Sequence, residues 1–236
     1  MRIKYYLLFA VVLVVLLPTL TFSGTTDPDF GALTAKEGAK AKELFNDPTL
    51  YREADLKALP TTAPDFEFLL DRPRTSVALA GKMHKSLDKY EITKTGPEVY
   101  HIDDTKQLVG DMTLINSRPG RRLYYIDGYW KIIMGVILKG RIALLVEYRE
   151  TGYGKLDAKA KGYMMVDNSA AGVALKLLVK LFPAKVDARI TRFATAVQKV
   201  VEGVHYDPAG TLKRLENAKN VPPAEAREFR DRFIKN

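Results

Sequence analysis

The run Lys155-Leu-Asp-Ala-Lys-Ala-Lys-Gly-Tyr-Met-Met-Val166 constrains the fold more than any other segment. Leu156, Ala158, Ala160, Gly162, Met164 and Val166 fall on one side of an extended chain, and Lys155, Asp157, Lys159, Lys161 and Tyr163 on the other. A helix would scatter those lysines through the apolar positions, so period two held this long demands a strand with one dry and one solvated face. In Arg141 to Glu150, Ile142, Leu144, Val146 and Tyr148 make a matching apolar face, and Thr151-Gly-Tyr-Gly154 supplies a hairpin loop between the two runs.

Upstream, short apolar runs separated by Gly, Pro, Asn and Asp predict further strands near Tyr90 to Thr93, Glu98 to Ile102, Gly110 to Asn116, Arg121 to Tyr129 and Ile132 to Leu138. The flanks read as helical. Thr34 to Phe45 is Ala/Lys/Glu-rich and opens with Thr-x-x-Glu, a capping box. A short helix is expected over Tyr51 to Leu59, Pro60 to Pro64 breaks the chain, and Phe66 to Leu70 and Ser76 to Leu87 carry apolar residues at helical spacing. From Asn168, a long amphipathic helix follows with Leu175, Leu178, Phe182, Val186, Ile190, Phe193, Val197 and Val200 as its stripe. Pro183 is expected to kink or split it and Gly203 to stop it. Asp207-Pro208 and Pro222-Pro223 open two last helices, through about Asn217 and Ile234.

The N-terminus carries a different message. Arg2 and Lys4 precede an apolar run from Leu7 to Leu17, and Pro18 with small polar residues through Gly24 closes it, which is the pattern of a secretory leader. We expect an exported, periplasmic or otherwise extracytoplasmic chain. It is either cleaved near Ser23 or kept as a signal anchor, because Tyr5 to Phe22 is just long enough to cross a bilayer. The whole chain carries a formal charge of +9, and loss of Arg2 and Lys4 with the leader leaves it basic. Acids dominate from Thr25 to Glu67 and bases from Lys155 onward, a distribution suited to an anionic membrane surface. Nucleic acid is disfavoured by the leader and by the lack of a compact basic run interleaved with aromatics.

Chemistry is sparse. The chain has no cysteine, which excludes disulfides, thiolate metal sites and a cysteine nucleophile. His84, His101 and His205 sit in separate segments without metal-ligand spacing, and no nucleophile elbow, P-loop or dinucleotide fingerprint occurs. No catalytic residue, metal or cofactor is assigned. Arg121-Arg122 reads as a solvated hairpin end that could also receive an anionic headgroup.

What stands out is Tyr124 to Arg141, where aromatics, Met134 and aliphatics are bracketed by Lys131, Lys139 and Arg141. Such side chains build a strand pair in any core. They also suit a cavity for an acyl chain, with methionines as soft packing and tyrosines or Trp130 as a polar edge. The candidate lining is Tyr125, Tyr129, Trp130, Met134, Tyr148, Met164, Leu178, Phe182 and Phe193.

A helical lead-in, antiparallel strands and a long helix after the last strand resemble the helix-grip architecture of START-like lipid-binding proteins, over roughly Phe66 to Gly203. One departure is that no distinct pair of short helices is evident after a first strand. The resemblance implies an α+β fold, a curved antiparallel sheet around a C-terminal helix, and between them a cavity for a lipid, sterol or other hydrophobic small molecule. The domain reading is a leader over 1–23, a helical N-terminal extension over 24–65, a ligand-binding α+β domain over 66–206 and a helical tail over 207–236. The leading functional expectation is a non-enzymatic exported carrier of an apolar ligand. One alternative is an envelope interaction or scaffold protein with a solid core. Another is a hydrolase or cyclase on an apolar substrate, which needs Asp127, His101 or a tyrosine to face the cavity.

Overall fold

In the computed structural model of the chain, residues 35–103, 108–131, 137–167 and 183–234 are described. The elements in order are α1 (Ala35–Asn46), β1 (Leu50–Leu59), α2 (Ala63–Leu70), α3 (Pro73–Met83), a short 3-10 turn (Lys85–Leu87), β2 (Glu91–Gly96), β3 (Val99–Asp103), β4 (Leu108–Arg118), β5 (Arg121–Lys131), β6 (Ile137–Gly152), β7 (Lys155–Val166), α4 (Pro183–Tyr206), α5 (Pro208–Glu216) and α6 (Pro223–Phe233). The seven strands form one antiparallel sheet in the order β1-β7-β6-β5-β4-β3-β2. Helices α2 to α6 pack against its inner face, and this α+β arrangement is the helix-grip fold.

The segment expected as a helix over Tyr51 to Leu59 is instead the edge strand β1. The sequence Leu-Tyr-Arg-Glu-Ala-Asp-Leu-Lys-Ala-Leu has good helix formers throughout, but Leu50, Ala54 and Leu56 alternate as a strand requires. The deciding partner is distant: Asp55 pairs opposite Lys159 and Glu53 opposite Lys161. Lys159 Nζ lies 3.2 Å from Glu53 and 3.5 Å from Asp55. A bulge between Leu56 and Leu59 ends the regular ladder, with Ala58 at a φ of 53° donating its N–H to Asp157 at 2.9 Å. Residues 24–65 therefore include part of the sheet, and the short helices α2 and α3 do follow a first strand. Thr62 caps α2 by accepting from the Asp65 N–H, and Pro73 opens α3 where its missing N–H costs nothing.

The inner core joins Leu59, Phe66, Leu69, Leu79, Tyr148, Leu156, Val201, Leu215 and Phe229, all buried. Leu215 and Phe229 come from the segment expected to be a tail, so its helices α5 and α6 complete the core. Ion pairs fasten α6 to α2 and α3: Arg232 to Asp65 at 2.7 Å, Arg72 to Glu228 at 2.8 Å, and Arg74 to Glu225. The outer face is not simply solvated either. Ala41, Leu44 and Phe45 of α1 cover Ile115, Leu123, Tyr125, Ala143, Leu145 and Tyr163.

Two details of the C-terminal helices differ from expectation. Gly203 lies inside α4, where an added Cβ would sit 2.6 Å from Met83 Cε and 3.0 Å from Thr211 Oγ1, so it permits close helix packing rather than a stop. The helix ends at Tyr206 because Asp207, kept out of the helical conformation before Pro208 (φ −143°, ψ 65°), caps α5 by accepting from the Gly210 N–H at 2.8 Å. The buried stripe of α4 is Ala196, Val200, Val201 and Val204, with Phe193 and Val197 turned to the exposed flank. Pro183 is the first described residue of α4, and residues 168–182 lie outside the described ones. Ile137 and Leu138 open β6 rather than closing a separate strand, and residues 132–136 are also outside.

Candidate functional site

Strand parity divides the inner face into two unlike halves. At the end nearest the β4–β5 and β6–β7 hairpins, Arg122, Tyr124, Tyr148 and Leu156 point inward beneath α2. Arg122 is 3% exposed, so it is not the solvated hairpin end its position suggests. Its guanidinium holds Asp71 with both edges, Nε to Oδ1 at 2.6 Å and Nη2 to Oδ2 at 3.0 Å. Nη1 lies 2.7 Å from the Arg118 carbonyl, 2.9 Å from that of Arg121 and 2.7 Å from the Tyr148 hydroxyl. Tyr148 in turn donates to Glu67 at 2.7 Å, and Tyr124 donates to the Leu70 carbonyl at 2.7 Å.

Burial, and for Tyr148 the bond to Glu67, holds the phenols of Tyr124 and Tyr148 above the usual tyrosine range. Burial alone would lower the Arg122 pKa, but the bonds and charge of Asp71 override it and raise it. The phenols stay neutral and the guanidinium charged through neutral pH. This cluster clamps the C-terminal end of α2 to the sheet.

The other half of the inner face is lean and apolar. Gly110, Gly128 and Gly140 lie side by side on β4, β5 and β6, in a row that runs from Ile102 to Val166. Between the first two the backbones meet closely. A Cβ on Gly110 would come 2.7 Å from the Asp127 carbonyl oxygen, and one on Gly128 would come 2.5 Å from that of Val109. The next inward row is Tyr100, Met112, Ile126, Ile142, Met164 and Leu50, and Gly162, Ala160 and Ala158 continue the small residues along β7. Ile102, Ile126, Ile142 and Leu144 are only half-buried, whereas Leu114, Tyr124, Val146 and Leu156 at the clamped end are buried. The result is a backbone floor with aliphatic walls and no charged side chain in either row.

Of the expected lining, Met164 belongs to the lean half and Tyr148 to the clamp. Tyr125 and Tyr129 are corrected to the outer face: Tyr125 packs under α1, and Tyr129 follows it by parity. Phe193 is 42% exposed, with its ring 5.9 Å from that of Tyr90. Trp130 lies in β5 opposite Leu108 and Leu138, but its side chain, like Met134, Leu178 and Phe182, is outside what the structure describes. The reading missed Ile102, Ile126, Ile142 and the glycine row, although Gly110, Gly128 and Gly140 were visible as glycines inside strand-like runs.

The cyclase alternative needs Asp127, His101 or a tyrosine to face the cavity. Tyr100, Tyr124 and Tyr148 do face inward, but the hydroxyls of Tyr124 and Tyr148 are held within the clamp and that of Tyr100 by the Asp71 carbonyl at 3.4 Å. Asp127 and His101 lie on the outer face. There the row His101, Asp111, Asp127 and Arg141 crosses four strands, with His101 Nδ1 2.8 Å from Asp111 Oδ1. Arg141 pairs instead with Asp167 at 2.9 Å and Glu43 at 3.4 Å. Among the described residues, no group of three or more His, Asp or Glu is placed to hold a metal ion. No helix among them is long and apolar enough to cross a membrane, and the leader-like residues 1–24 lie outside them.

No family model and no curated protein matches the chain. Solved structures similar to it include a conserved protein from Geobacillus kaustophilus, at 12% identity over 66% of this chain and 96% of that one, with a TM-score of 0.43. Norcoclaurine synthase from Thalictrum flavum is 14% identical over 78% of this chain and 98% of that one, with a TM-score of 0.44. Ara h 8.0201 is 15% identical over 65% of this chain and 95% of that one, with a TM-score of 0.38. Likeness at this level bears on neither ligand nor reaction.

Proposed function

We propose that the chain is an exported binding protein that holds an apolar ligand, such as a lipid or sterol, against the lean half of the inner sheet face. The observation that carries the reading is the glycine row flanked by half-buried Ile102, Ile126 and Ile142. Three adjacent strands give up their side chains there, which sacrifices core packing, and the aliphatic walls remain incompletely covered. Binding would be driven by removal of apolar surface from water, at about 25 cal/mol per Å², without a charged anchor. Export rests on the leader pattern of residues 1–24. The basic C-terminal half supports contact with an anionic membrane surface during loading or delivery.

The test is native mass spectrometry of the chain purified in mild detergent from its own envelope, followed by organic extraction of what it retains. A stoichiometric apolar molecule, displaced when Ile142→Trp fills the floor of a still-folded protein, is the expected result. A ligand-free mass that also refuses added lipids and sterols would overturn the reading in favour of a solid-core interaction protein. The mass of the recovered chain also reports whether the leader is removed.

A further inference from the structure

A concavity lies on the helical layer, with no sheet residue in its lining. Lys82 in the last turn of α3, Gly210, Lys213 and Arg214 of α5, and Asn217 at the end of α5 line an open groove of about 360 Å³. Lys82, Lys213, Arg214 and Asn217 are exposed. Among the described residues, Lys82 and Lys213 have no carboxylate partner, while Arg214 reaches Asp207 at 3.4 Å with both side chains about half exposed. Such a pair contributes little to stability, so Arg214 can exchange Asp207 for a better partner at small cost.

The charge balance favours an anion. Three cations face one carboxylate and the C-terminal ends of α3 and α5, each dipole equivalent to about half a negative charge, leaving an excess of roughly one positive charge. The helix ends explain why Lys82 sits in the last turn of α3 and Lys213 and Arg214 in that of α5, but not why the two ends converge on one groove. A carboxylate would be satisfied by Arg214 alone. A dianionic group with three acceptor oxygens would use the guanidinium fork and both ammonium groups together. The groove is also wide enough for a phosphate with an organic substituent attached.

We propose that this groove binds a phosphate monoester group. The proposal is independent of the apolar ligand: no sheet residue lines the groove, which lies on the side of α5 opposite its buried Thr211, Leu212 and Leu215, and it can fail or stand alone. The phosphate can come from a soluble metabolite or from a lipid headgroup.

The test is isothermal titration of the full chain, at low salt, with inorganic phosphate, glycerol 3-phosphate and a water-soluble short-chain phosphatidic acid. Saturable, salt-weakened binding of glycerol 3-phosphate is expected. Lys82→Ala/Lys213→Ala should weaken it about tenfold or more, and Arg214→Gln should do so on its own, while Lys155→Ala at the start of β7 should leave it unchanged. Tighter binding of the short-chain lipid than of glycerol 3-phosphate assigns the site to a headgroup, and equal binding assigns it to a soluble ester. Failure of all three probes to bind saturably, or binding that survives in both groove variants with unfolding midpoints intact, would overturn the proposal.

Discussion

Replacement of Arg122 by methionine asks how much the clamp between α2 and the sheet contributes. The substitution keeps the long aliphatic stem but removes the guanidinium, leaving Asp71, Glu67 and the Tyr148 hydroxyl without their central partner. Breaking a fully buried ion pair from one side costs about 3–5 kcal/mol. Asp71 and Glu67 keep 34% and 26% of their side-chain surface, so water recovers part of what they lose. We therefore expect a loss near the lower bound, about 3 kcal/mol, read as a shifted urea midpoint at unchanged slope. The reasoning also requires that the damage come from the orphaned carboxylates. Arg122→Met with Asp71→Asn and Glu67→Gln should then recover a good part of the loss, because no unpaired charge remains under α2. A single-variant loss below about 1 kcal/mol would show the site to behave as an exposed pair. A triple variant no better than the single one would place the cost in the unpaired Arg118 and Arg121 carbonyls and refute the charge argument.

Gly128→Ala should destabilise by about 2 kcal/mol, because its methyl meets backbone on β4, while Gly162→Ala, whose nearest neighbour is 3.9 Å away, should be close to neutral; equal urea midpoints for the two would contradict the close approach. Phe229→Ala should cost about 4 kcal/mol in the same measurement, the price of a fully buried ring, whereas a peripheral tail would lose almost nothing. The phenols of Tyr124 and Tyr148 are held above the ordinary value of 10.0, so above that pH the unfolded chain sheds protons that the folded chain keeps. Stability should accordingly be intact below about pH 10 and fall as pH rises further, with tyrosines that ionise only on unfolding in ultraviolet difference spectra. Ionisation of every tyrosine in the folded protein near its ordinary value would contradict the buried placement.

The hairpins and β7 were legible because period-two alternation is a local signal, set by the two sides of one strand. β1 was not, since Arg52, Glu53, Ala54 and Lys57 favour a helix and the lysines that hold it extended lie a hundred residues further on. Arg122 and Tyr125 were misjudged for a shared reason. Both faces of β5 are covered, one by α2 and the other by α1, so apolar character does not say which side of the strand points inward. The face becomes visible only when Arg122 and Tyr124 are counted together by parity and set against Leu123 and Tyr125. For α4, the expected stripe ran through Phe193, Val197 and Val200. Val200 is buried, but the buried face continues along Ala196, Val201 and Val204, because close packing against α3 and α5 leaves the Phe193 ring no room and rotates the helix off that line.

The two halves of the inner face answer opposite requirements. A surface that receives a guest cannot also fill itself with its own side chains, so it forfeits packing energy where Gly110, Gly128 and Gly140 adjoin. The loss must be made good elsewhere in the same sheet. Here β5 and β6 run through both regions: Arg122 and Tyr148 are anchored at one end, and Gly128 and Gly140 form the floor at the other. Rigid strands fixed at the clamped end hold the floor open without lining it, and the ion pairs from α6 to α2 and α3 brace that end from outside. It follows that a ligand and the clamp should be separable. Arg122→Met should lower the unfolding midpoint while leaving the affinity of the folded protein for its apolar ligand within about threefold, whereas Ile142→Trp should abolish binding with little loss of stability. A parallel loss of affinity and stability in both variants would mean that the inner face is one continuous core.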